Sequence, residues 1–210
     1  MFNRRLACLA LAFAAVLPLS GCKILPIADE AETAAAGFNA QAYAAELWTG
    51  RALPHFVEAA KPVAEVLPAI GADLAAAGAE FGYRAGEGSP WSFVVSGTGV
   101  VSAKNVESRA GTLEVAVDGL ADPVVLQIGP VIRGNAVRDG LPFVTFQDFT
   151  NQIEYADVGK ALTALALEGF SGNAEAIAVG DTVNFTGAMS LAGASDKLLV
   201  TPVTLEKAAP

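Results

Sequence analysis

Two arginines and an acid share one glycine-bounded stretch, Gly129-Pro130-Val131-Ile132-Arg133-Gly134-Asn135-Ala136-Val137-Arg138-Asp139-Gly140. A guanidinium presents a planar fork of donors that fits two carboxylate or phosphate oxygens at once, so Arg133 and Arg138 could hold a polar ligand or a charged partner. A second polar block lies at Phe146-Gln147-Asp148-Phe149-Thr150-Asn151-Gln152. Asp148, Asn151 and Gln152 join Arg133, Arg138, Asp139 and Trp91 as candidate residues for binding a ligand or partner. The structural reading of the same residues competes with this one. Either arginine could pair with Asp139 or Asp148, and Asn151 and Gln152 could tie loops to backbone; exposed loop ion pairs often do no more than that.

No other constellation points to chemistry. His55 is the only histidine, and a lone imidazole makes neither a metal site nor a catalytic triad. Gly97-Thr98-Gly99 lacks the third glycine and the following helix of a dinucleotide loop, so it reads as a bend in a strand. Asn184-Phe185-Thr186 fits a glycosylation sequon, but it falls inside an alternating strand pattern. Carboxylates are scattered, with no pair marked by spacing. No catalytic residue, metal ligand or cofactor is assigned. An envelope hydrolase that assembles two carboxylates in space is the alternative, and a purely structural envelope protein is another.

The first 22 residues place the protein. Arg4 and Arg5 precede an apolar run, Leu6 to Leu17, which falls short of the about 20 residues a bilayer span needs. Leu19-Ser20-Gly21-Cys22 then has the pattern of a bacterial lipobox: leucine, two small residues, cysteine. The expectation is a signal peptide over 1–21 and acylation of Cys22. Each buried CH2 adds about 0.8 kcal/mol, and two or more chains anchor stably. Cys8 leaves with the leader, so no thiol remains for a disulfide, a metal or nucleophilic attack. Lys23 replaces the Asp that marks inner-membrane retention in enterobacterial sorting, which favours the outer membrane. The formal net charge is −9, or −11 once the leader's two arginines are gone. Such a surface repels phosphate backbones and argues against nucleic acid.

The remaining chain reads as α+β. Residues 22–37 form a tether with a reach of roughly 50 Å at about 3.3 Å per residue. Residues 38–84 are a small helical subdomain. Asn39 caps a helix that Gly50 should end, with Phe38 and Tyr43 at hydrophobic-staple spacing. Pro54, Pro62 and Pro68 punctuate the next stretch, and Ala69 to Phe81 should be one helix closed by Gly82. Residues 85–210 carry five strands. The first spans Ser92 to Ser102 and the second Thr112 to Asp118. The apolar run Val124 to Ile132 is the third. Thr182 to Leu191 alternates most cleanly, and Leu198 to Leu205, with Pro202, should be an edge. One helix, capped by Asp157 and ended by Gly169, lies between strands three and four. That order is that of an OB-like five-stranded β-barrel.

The lipobox, Glu46-Leu47-Trp48, Tyr83, Pro90-Trp91, the Gly129–Gly134 block with Arg138-Asp139, and Phe149-Thr150-Asn151-Gln152 together resemble DUF2291, a family of predicted bacterial periplasmic lipoproteins. The resemblance implies a membrane-anchored periplasmic protein held through the lipid on Cys22. It also implies an accessory role in uptake beside a sugar-type ABC system. With no catalytic constellation in the residues, the expectation is a non-enzymatic protein that binds a transporter component or a small polar solute.

Overall fold

The computed structural model describes residues 37–208. The leader over 1–21, Cys22 and the tether up to residue 36 lie outside them. Among the described residues no helix is long and apolar enough to cross a membrane.

Helix α1 (Ala40–Leu47) begins where expected. The Asn39 side chain accepts a hydrogen bond from the Ala42 N–H (2.9 Å), and the Phe38 and Tyr43 rings meet at 5.5 Å. Gly50 does not end the helix. A π turn, Trp48–Ala52, carries it into α2 (Leu53–Ala59). A terminating glycine takes a left-handed φ; Gly50 is not among the positive-φ glycines, and burial of Trp48, Ala52 and Phe56 keeps the chain helical. After the two-residue strand β1 (Lys61–Pro62) come α3 (Val63–Ala72) and α4 (Leu74–Phe81). The single helix expected over Ala69 to Phe81 is broken at Asp73. Its carboxylate caps α4 by accepting from the N–H groups of Ala75 and Ala76 (2.8 and 3.0 Å), and competition of that kind is why Asp favours helix starts. Gly82 opens the short strand β2 (Gly82–Tyr83).

The sheet is built on β3 (Trp91–Asn105), which pairs with β6 (Thr182–Leu191) along its first ten residues and with β4 (Thr112–Ala116) beyond. Strands β5 (Val124–Gln127) and β7 (Leu199–Lys207) complete the order β3–β4–β5–β7–β6, with β6 returning to β3. The parallel β5–β7 seam holds by only two residue pairs, Val125 with Leu199 and Leu126 with Val200. The result is a partly open barrel of OB type, with helix α6 (Gln152–Ala176) between β5 and β6 and a four-residue helix, α5 (Ala136–Asp139), before it. The expected α+β class and strand order hold.

Further differences from the sequence expectation fall at β5, α6 and β7. Strand β5 stops at Gln127 instead of running on to Ile132. The buried Gln127 side chain accepts from the Arg133 N–H (2.9 Å) and donates to the Arg133 carbonyl and Thr201 Oγ1 (3.2 and 3.0 Å), folding 128–133 back as a loop. Helix α6 starts at Asn151 rather than Asp157: the Asn151 side chain accepts from Ile153 and Glu154 (2.9 and 3.0 Å). It also runs past Gly169, because Leu162, Ala166, Phe170 and Ala174 keep one buried stripe on the core. Pro202 is not on an edge, since β7 lies between β5 and β6. It faces Gly187 at a register slip, the kind of irregularity that tolerates a missing N–H.

Helices and strands share one hydrophobic core. Ala44, Phe56 and Val66 from the 38–84 stretch pack in the same cluster as Phe93, Met189, Leu162 and Phe170. The chain from Phe38 onward is one compact unit.

Lys104 on β3 closes the far end of α6. Its ammonium donates to the carbonyls of Ala174, Glu175 and Ile177 (2.8, 3.0 and 2.8 Å), groups a helix end leaves without partners. Lys104→Met keeps the stem and removes the donors. The expected loss is about 1.5–3 kcal/mol in urea unfolding, in the range of charge-assisted hydrogen bonds, with faster amide exchange in the last turn of α6. Unchanged stability would mean that water replaces the ammonium without cost.

Candidate functional site

The Gln127 clamp decides where the two arginines go. It holds the Arg133 backbone at the β5–β7 seam and leaves its side chain exposed, beside a concavity of about 520 Å³ lined also by Asp122, Asp196 and Lys197. Arg138, in the last turn of α5, turns inward. Its Nε and Nη2 both donate to Asp139 Oδ1 (2.9 and 2.6 Å), and its guanidinium lies 3.8 Å from the centre of the Tyr155 ring. The Arg138 side chain is 11% exposed and that of Asp139 26%. Gly159 on α6 makes room for it: a Cβ there would come 3.3 Å from Arg138 Cδ and 3.1 Å from Asn135 Oδ1.

Around Arg138 opens a cavity of about 370 Å³, with Tyr83, Ser89, Ser92, Asp139, Phe146 and Tyr155 on its walls. Ser92 is buried on β3. Burial pushes the Tyr155 phenol above its ordinary pKa, against the pull of the Arg138 charge, so it stays a neutral O–H at neutral pH. The charges on this wall, Arg138 and Asp139, cancel. The cavity thus combines a balanced ion pair, hydroxyls and aromatic rings, a set suited to orienting a small polar molecule.

A larger groove, about 710 Å³, runs between α6 and the ends of the strands, with Ile128, Pro130, Leu167 and Ala174 among its apolar lining. Among the described residues no group of three or more His, Cys, Asp or Glu side chains is placed to hold a metal.

Residues 12–206 match the family model described as "Predicted periplasmic lipoprotein (DUF2291)". The chain belongs to the DUF2291 family. A crystal structure of an OB-fold protein from Thermotoga maritima is similar to this DUF2291 chain at a TM-score of 0.66 and 20% identity, over 82% of this chain and 99% of that one. At that identity the likeness concerns the fold. No curated protein matches.

In this DUF2291 protein the candidate residues separate. Only Arg138 and Asp139 come together; Arg133 faces the other concavity. Asp148 caps a 3-10 turn, Phe146–Asp148, by accepting from the Thr145 N–H and Oγ1 (2.8 and 2.9 Å). Those bonds, the backbone one first, hold its carboxyl below the usual range. Asn151 caps α6, and Gln152 is exposed at its start. Trp91 packs its indole against Gly78 on α4, where a Cβ would come within 2.2 Å of the ring, and carries Arg84 on its face at 4.4 Å. It is not part of the cavity wall, although its neighbours Pro90 and Ser92 are. Lone His55 donates from Nε2 to the Gly140 carbonyl (3.0 Å) and packs edge-on against Phe143. Asn184 of the sequon lies in β6 and accepts from Thr98 Oγ1 (2.7 Å).

Sequence reasoning missed Ser92, Tyr155 and Gly159 as parts of this site. Ser92 looks like any polar residue of an alternating strand. Tyr155 falls before Asp157, outside the helix expected from the sequence. Gly159 gave no signal without its neighbour Arg138.

Proposed function

We propose that this chain is a lipid-anchored periplasmic binding protein without catalytic turnover. It takes a small polar solute in the Arg138–Asp139 cavity and serves a sugar-type ABC uptake system as an accessory. Acylated Cys22 holds it to the envelope, and Lys23 beside it favours the outer membrane. The observation that carries the reading is Arg138, fixed between Asp139 and the Tyr155 ring on the wall of a cavity large enough for a small molecule. Such fixing lowers the ordering cost of binding. Among the described residues Asp139 is the one carboxylate on that wall, so hydrolysis by paired carboxylates, which needs two, draws no support from it.

The test is thermal unfolding against a panel of monosaccharides, polyols and amino acids. A solute present at about 100 times its Kd should stabilise by about 2.7 kcal/mol. Asp139→Asn should lose that response. A panel with no stabilising solute, or a response that survives in Asp139→Asn, would count against this cavity. For the anchor, Cys22→Ser should move the protein out of the membrane fraction; retention after a salt wash would show that something other than lipid holds it.

A further inference from the structure

Helix α6 is 25 residues long, about 37 Å at 1.5 Å per residue, and exposed apolar side chains occur at and near its start. Phe38, Phe146 and Ile153 there are 41, 48 and 72% exposed. Single exposed apolar residues are ordinary, but Phe38 and Phe146 are not isolated. The rings of Phe38, Tyr43, Phe149, Tyr155 and Phe146 form one series of contacts with centres 5.5–5.8 Å apart, and Ile153 lies in the segment between Phe149 and Tyr155. Phe38 and Phe146 are the solvent-facing ends of that cluster.

The chain enters this same surface. Gly37 precedes Phe38, and fifteen residues, 23–37, connect it to Cys22, a span of at most about 50 Å. We propose that this aromatic face docks on the surface of the membrane that carries the Cys22 lipid, with Phe38, Phe146 and Ile153 at headgroup depth. Docking of this kind rests on the lipid-anchored reading of the chain. The anchor supplies a high local concentration, so the side chains need only orient the domain, and rings and aliphatic side chains suit the interface. Of the flanking acids, Asp148 accepts from Thr145, Glu154 accepts from the Thr150 N–H (3.0 Å), and Asp157, one turn beyond Ile153, pairs with Lys160 (2.9 Å). With a net charge of −11 after the leader is removed, the chain fits a surface rich in zwitterionic phosphatidylethanolamine better than an anionic one. Because Phe146 also lines the Arg138 cavity, docking places the mouth of that cavity beside the lipid.

The experiment uses the full acylated protein, purified from membranes and reconstituted into vesicles of phosphatidylethanolamine with a minor share of phosphatidylglycerol. A nitroxide is placed at Ile153→Cys or, as control, at Val179→Cys, an exposed site just beyond the other end of α6. Cys8 is lost with the leader and Cys22 is blocked, so each label has one thiol. The expected result is a several-fold rise in the ratio of oxygen to nickel-chelate collisions at 153 over that at 179. Equal ratios at the two sites, with the acyl mass on Cys22 confirmed, overturn docking and leave the anchor intact. Shielding of 153 from both reagents, seen only when other envelope proteins are added, points to a protein partner and also overturns it. A chain without acyl mass that fails to float with the vesicles overturns the anchored reading itself.

Discussion

Gly129→Ala should cost about 3 kcal/mol or more of stability. A Cβ at that position would lie 2.2 Å from the Gly111 nitrogen and 2.3 Å from the Arg109 carbonyl oxygen. Both are backbone atoms of the β3–β4 connection, so no side chain can rotate away. The crossing is held by three backbone bonds: Ile128 N–H and Gly129 N–H to the Gly111 carbonyl (2.9 and 3.1 Å), and Val131 N–H to the Arg109 carbonyl (3.0 Å). Opening it to admit a methyl group forfeits bonds of about 1 kcal/mol each and displaces Pro130 from the large groove. At about 2–4 °C per kcal/mol for a chain of this size, Tm should fall by about 6–12 °C. Gly50→Ala is the control. Among the described residues nothing lies within 4 Å of a Cβ there, and in a helical turn the change should stabilise by up to about 1 kcal/mol. A Gly129→Ala protein within about 1 kcal/mol of the parent in urea unfolding would mean that the crossing yields and no glycine is needed.

Gly129 also shows what could be read from the sequence and what could not. Features written in a few adjacent residues were legible. They include the Asn39 cap with its Phe38–Tyr43 staple, the alternation along β3 and β6, and the Arg138-Asp139 dipeptide. Features that depend on a distant partner were not. Val124 to Ile132 looks like one long strand until Gln127 finds Thr201 and Arg133. Gly50 and Gly169 look like helix ends until the buried stripes on either side of them meet the core. The site divides in the same way. Its ion pair is contiguous in sequence, whereas Tyr83, Ser92 and Tyr155 come from β2, β3 and α6, and only the fold brings them to one cavity. Arg133 and Arg138 are five residues apart and matched in type, so nothing local says that one faces solvent and the other the Tyr155 ring.

Those two arginines should respond to mutation in opposite ways. Arg133→Ala removes an exposed side chain with no ion pair among the described residues; stability should stay within about 0.5 kcal/mol, and any solute held in the Arg138 cavity should still bind. Arg138→Ala loses a charge-assisted bond of about 1.5–3 kcal/mol and a cation–π contact of about 0.5–2 kcal/mol, and it strands a partly buried Asp139. The expected cost is about 2–5 kcal/mol. Adding Asp139→Asn to Arg138→Ala should recover part of that loss, a coupling of about 0.5–3 kcal/mol between neighbours, because no unpaired carboxylate is then left. Stability alone cannot separate ligand site from scaffold here, so Arg138→Lys is the deciding variant. It keeps the charge and can still meet Asp139, but it lacks the planar fork and the plate over Tyr155. It should lose no more than about 1–2 kcal/mol, the larger part being the cation–π term, while abolishing the stabilisation by solute. If Arg138→Lys still answers to solute like the parent, or if binding falls across these variants only in step with folding, then Arg138 serves the fold and the solute is held elsewhere.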